Sequence, residues 1–137
     1  MVKVLPEYYF RVRENGAVVF RVDAENRMRR IELQQIAVVN VRNGEVKAHG
    51  DHMLSDVDHT TIDKWLAERR EALRARELDD ILRTVDRLNL TAAWAQQSAT
   101  PDELDAVTDK LLLAMHDLRS VLVRKMSQNS RDASDDD

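Results

Sequence analysis

The sequence predicts an α+β protein: an N-terminal antiparallel β-meander of about four strands, followed by a long antiparallel helical hairpin. Three observations carry this. Two Asn-Gly pairs, Asn15-Gly16 and Asn43-Gly44, each interrupt alternating apolar segments within the first fifty residues. Residues 60–97 contain neither glycine nor proline and carry apolar residues at helical spacing. A helix start then stands at Thr100-Pro101-Asp102-Glu103 and opens a second periodic run.

The first two strands are expected at residues 8–13 and 17–23. A three-residue loop, Glu14 to Gly16, sets Tyr8 opposite Val22, Phe10 opposite Phe20 and Val12 opposite Val18, gathering six apolar residues on one face. Gly16 then takes a left-handed bulge position. The opposite face carries Tyr9, Arg11, Arg13, Val19 and Arg21. The third strand spans roughly residues 28–42; its apolar residues switch faces twice, which places a bulge near Gln34-Gln35. A two-residue turn at Asn43-Gly44 pairs Val41 with Val46 and Val39 with Ala48, with the fourth strand at residues 45–49.

In the first long helix Ile62, Trp65, Leu66 and Leu73 form one stripe, which suits burial against the sheet. From Leu78 a heptad-like seam continues through Ile81, Val85, Leu88, Ala92 and Ala95. The second helix begins with a capping box of Thr100 and Glu103 and with Pro101 at its first position. Its seam is Leu104, Val107, Leu111, Ala114, Leu118 and Val121. Beside that seam lies a second row, Leu112, Met115, Leu122 and Met126, wider than one partner helix needs. Trp65 and Trp94 read as packing anchors. The expected organisation is a single domain over residues 1–127 (meander 1–50, connection 51–59, hairpin 60–127) and a disordered acidic tail at 128–137.

Composition narrows the function classes. The chain has 137 residues and no cysteine, which excludes disulfides, thiolate metal sites and cysteine nucleophiles. No apolar run approaches membrane-spanning length, and residues 1–20 lack the order of a secretory signal, so a cytoplasmic protein is expected, with no membrane. The net charge of −4 disfavours a nucleic-acid partner. That idea retains only the Arg11, Arg13 and Arg21 sheet face, as a nucleic-acid-binding regulator.

The one stretch resembling chemistry is residues 49–59, which hold three of the four histidines. His49, His52, Asp56 and His59 offer donors suited to a divalent metal, the basis for a small metal-dependent enzyme as an alternative. Their spacing matches no helical metalloprotease motif. A calcium-loop reading from Asp56 fails at Thr61, where glycine belongs, and at Ala67, where a bidentate glutamate belongs. Asp58 and Thr60 serve equally well as helix caps. The preferred reading is therefore a polar connection, with no metal or other cofactor and no catalytic residue. Helix-borne His116 reads as a surface residue.

The expectation that results is a non-enzymatic interaction or adaptor protein, a homodimer able to bind a protein partner. Its interface is Leu112, Met115, Leu122 and Met126 with Arg119 at the rim, and two hairpins form a four-helix bundle.

Overall fold

A computed structural model describes residues 5–23 and 30–135. Strands β1 (Tyr8–Arg13), β2 (Gly16–Asp23), β3 (Glu32–Asn40) and β4 (Val46–Ala48) form one antiparallel sheet in sequence order. Helices α1 (Asp56–Gln97) and α2 (Pro101–Asp135) follow. The α+β class and the meander-then-hairpin order are those expected. Two compact units divide between Ile81 and Leu82.

In the first unit, the β1–β2 register differs from the expected one. Tyr8 pairs with Arg21, Phe10 with Val19 and Val12 with Ala17, so only Glu14 and Asn15 lie between the strands. A one-residue slip reverses every β2 side chain relative to β1. Tyr8, Phe10 and Val12 therefore share the helix-covered face with Ala17, Val19 and Arg21, while Val18 and Phe20 join Tyr9, Arg11 and Arg13 on the other. The pattern left this open because β2 is apolar at both parities from Ala17 to Phe20. Gly16 is required for another reason than a left-handed turn: a Cβ there would stand 1.9 Å from the Val39 carbonyl oxygen. Only glycine lets β2 start this close to β3.

A bulge does interrupt β3. The extra residue is Ile36, beside Gln35, between the Val19–Ala37 and Phe20–Gln35 pairs. It lets both Ile36 and Ala37 reach the core. The described part of the expected third strand is shorter than predicted, Glu32–Asn40; residues 28 and 29 of that expectation lie outside the described set. The β3–β4 pairing is displaced by two residues, Val39 with Val46 and Ala37 with Ala48, which preserves the faces. A five-residue loop, residues 41–45, replaces the two-residue turn. Asn40 Oδ1 accepts from the Arg42 and Asn43 amides, the Gly44 amide donates to the Asn40 carbonyl, and Gly44 has φ of 73°.

The core of this unit is Ala17, Val19, Ile36, Ala37 and Val39 from the sheet, with Ile62 and Leu66 from α1. Phe10 stacks on Trp65 with ring centroids 4.7 Å apart, closing one side. The small Ala17 and Ala37 let the helix approach the strands closely. Truncating Ile62, fully buried, would forfeit about 2–5 kcal/mol. Arg70 Nε donates to the Val41 carbonyl, tying α1 to the β3–β4 loop.

In the second unit, the end of α1 turns into α2 through Ser98 and Ala99, whose amides both donate to the Trp94 carbonyl. The capping box is formed as expected: the Thr100 amide donates to Glu103 Oε1 at 3.0 Å and the Glu103 amide to Thr100 Oγ1 at 3.2 Å. Trp94, Leu104, Val107 and Leu111 are half-buried near this turn. No residue of α2 whose exposure is described is fully buried. The helix also runs on to Asp135, through a stretch expected to be disordered from residue 128; neither glycine nor proline stops it. Among the described residues, no helix is long and apolar enough to cross a membrane.

Candidate functional site

The polar residues of the first unit converge where α1 begins. Helix α1 starts at Asp56, earlier than the expected residue 60, because Ser55 acts as N-cap and Asp58 completes the box. The Asp58 amide donates to Ser55 Oγ at 3.1 Å, and the Ser55 amide donates to Asp58 Oδ2 at 3.0 Å. Thr60 lies inside the helix, its hydroxyl donating to the Asp56 carbonyl.

Asp58 is 2% exposed, a burial that an ionised carboxylate tolerates only when its lone pairs are used. They are. The Tyr8 hydroxyl donates to Oδ1 at 2.5 Å, from a residue fifty positions earlier. The Arg21 guanidinium lies 3.8 Å from the same oxygen and 5.4 Å from the centre of the Tyr8 ring. Burial pushes the Asp58 carboxyl up, but hydrogen bonds from Tyr8 and Ser55 and the charge of Arg21 outweigh it and hold it below the ordinary carboxylate range. Tyr8 moves the other way: burial, its bond to Asp58 and that carboxylate's charge raise the phenol, against smaller opposing effects of Arg21 and Thr61. The pair is thus an anion and a neutral donor at neutral pH, an arrangement that ties the start of α1 to β1.

The four metal-ligand candidates are not brought together. His49 continues the backbone pairing, its amide donating to the Ile36 carbonyl, and its side chain is exposed. His52 turns back to His49 through its amide, and its Nε2 lies 3.9 Å from Asp58 Oδ2, buried and without a hydrogen-bond partner. Asp56 and His59 sit exposed on the first turn of α1. The early start of that helix separates them from the connection. Among the described residues, no group of three or more metal-ligating side chains assembles.

The arginine face is also divided by the register. Arg21 belongs to the Asp58 cluster. Arg11 and Arg13 remain with Tyr9 on the other face, but the Arg11 guanidinium lies 4.6 Å from the centre of the Phe20 ring, and Tyr9 flanks the same ring at 6.1 Å. Phe20 is 7% exposed and so offers little surface to a stacking base.

The second unit presents a different kind of surface. An apolar groove of about 230 Å³ runs between the helices near their turn, with Leu88, Trp94, Leu104, Val107 and Leu111 among its lining residues. The row expected as an interface is open: Leu112 is 59% exposed, Met115 52%, Leu122 54% and Met126 70%, and Arg119 is exposed among them. No known protein family, no curated protein and no solved structure matches this chain.

Proposed function

We propose that this is a non-enzymatic interaction or adaptor protein that works as a homodimer, its helical hairpin making the contact. The observation that supports the reading is the absence of any fully buried residue among those of α2 whose exposure is described, despite two adjacent apolar rows on that helix. Leu104, Val107 and Leu111 are already half-buried beside α1, whereas Leu112, Met115, Leu122 and Met126 are left to solvent. Covering a half-exposed leucine or methionine gains about 1 kcal/mol, repeated along the row and doubled by two-fold symmetry. The Tyr8–Asp58 cluster has a structural task in this reading, fixing the start of α1 on the sheet. A cytoplasmic setting belongs to the same proposal.

Light scattering at micromolar concentration tests it. The expected wild-type mass is twice 15.8 kDa, and Met115→Glu, which places a carboxylate in the contact, should give monomers. A wild-type mass near 15.8 kDa at every concentration would overturn the proposal.

A further inference from the structure

We infer that two copies pair through α2 in antiparallel fashion, crossing near residue 117; this rests on the homodimer reading above and gives it a direction. The first half of α2, residues 101–117, holds Asp102, Glu103, Asp105, Asp109 and Asp117 against Lys110 alone, a balance of −4. Residues 118–131 hold Arg119, Arg124, Lys125 and Arg131 with no acidic residue, a balance of +4. Up to residue 131 the helix is thus split by charge sign, and the split falls between Asp117 and Arg119; Asp132 and Asp135 follow at its end.

That segregation sets aside the usual local compensation. Opposite charges three or four residues apart support a helix from within. Up to residue 130, α2 has none at that spacing, and Asp105 and Asp109 stand four apart with the same sign. In α1, by contrast, Lys64 and Glu68, Arg76 and Asp80, and Asp79 and Arg83 alternate in sign at four-residue spacing. The charges of α2 find their complement in a second α2 running the other way. Antiparallel pairing sets each acidic half beside a basic half and aligns the helix dipoles favourably. Parallel pairing sets like beside like along the whole helix. Within the open apolar row, Leu112 and Leu122 lie equally far from residue 117 on either side. A two-fold axis there brings the Leu112 of each copy to the Leu122 of the other.

The absence of cysteine allows a direct test with single-cysteine variants and a short bis-maleimide. In an antiparallel pair centred at 117, Arg119→Cys lies roughly 6 Å along the axis from its own mate, at 1.5 Å rise per residue, and should cross-link with itself. Thr108→Cys and Met126→Cys lie roughly 27 Å from theirs by the same rise; each alone should stay uncoupled, while an equal mixture of the two should couple. Raising the salt concentration should weaken the association, because the charges that set the direction are exposed. Self-coupling of Thr108→Cys and Met126→Cys, with none in the mixture, would establish parallel pairing and overturn the inference while leaving the homodimer intact. Dimeric mass by light scattering with no coupling at any of the three positions would place the interface off this row, and would also overturn it. A monomeric mass for the wild type would instead reject the homodimer reading beneath it.

Discussion

Removing the carboxylate of Asp58 should be a costly change at the sheet–helix junction. In Asp58→Ala, the Tyr8 hydroxyl loses a bond to a charged acceptor, an interaction of about 1.5–3 kcal/mol. The Ser55 amide loses its reciprocal cap, about 1 kcal/mol. Arg21, half-exposed and 3.8 Å away, adds less than about 1 kcal/mol. These losses share one group and do not add fully, so the expected cost is about 3 kcal/mol. Trp65 packs on Phe10 in the first unit and Trp94 lies in the second, so Trp94→Phe leaves a fluorescence reporter specific to this junction. Urea unfolding in that background measures the cost. A double-mutant cycle with Tyr8→Phe should give a coupling of about 1–2 kcal/mol. The pH dependence has a definite sign. Because the Asp58 carboxyl is held below its ordinary value, its contribution is present above the unfolded carboxylate pKa of about 3.9 and is lost as pH falls through the folded value. The Tyr8 phenol is held above its ordinary value, so its contribution is present below about pH 10 and is lost as pH rises through the folded value. The difference between wild type and Asp58→Ala should therefore narrow in strong acid. A cost within about 0.5 kcal/mol at pH 7, or a cycle with no coupling, would refute the reasoning.

Two further perturbations follow from the same geometry. Gly16→Ala must push against the Val39 backbone and should destabilise the sheet by more than about 2 kcal/mol, whereas Gly50→Ala, with φ of 53° and open space around its Cβ position, should cost about 1 kcal/mol; equal urea midpoints for the two variants would contradict the close β2–β3 approach. At the start of α2, Thr100→Ala should lower stability by about 1 kcal/mol, and it should move the Glu103 carboxyl, held low first by the Thr100 amide, which alanine keeps, and then by the hydroxyl, part of the way back toward the ordinary glutamate range in an NMR titration; an unmoved titration midpoint would mean that the hydroxyl takes no part.

Much of the fold was legible along the chain because its determinants are local. Turn residues between alternating segments marked the meander, and a Thr-Pro-Asp-Glu start with three-and-four spacing marked α2. The Ile62–Leu66 stripe was recognisable as the face toward the sheet because a helix displays its burial pattern at 3.6 residues per turn. The spare row on α2 was legible for the same reason. The candidate site was legible only in fragments. Asp58 stood out as a cap, and Ser55, three residues earlier, was the signal for the true helix start, overshadowed by the nearby histidines.

What remained belonged to tertiary structure. A strand apolar at both parities, such as Ala17 to Phe20, carries no record of which face a helix will cover, so one residue of register decided the placement of Arg21 and Val19 together. The same register placed Tyr8 and Arg21 on one face, where Asp58, buried at the helix start, could be compensated by both. No spacing rule links positions fifty residues apart. Gly16 looked like a turn glycine, and its real constraint, the Val39 carbonyl, exists only once β3 lies alongside. Local periodicity determines which elements form and which of their faces are apolar; the choice among faces and registers of similar local energy is made by the single packing that buries the core and leaves no charge uncompensated.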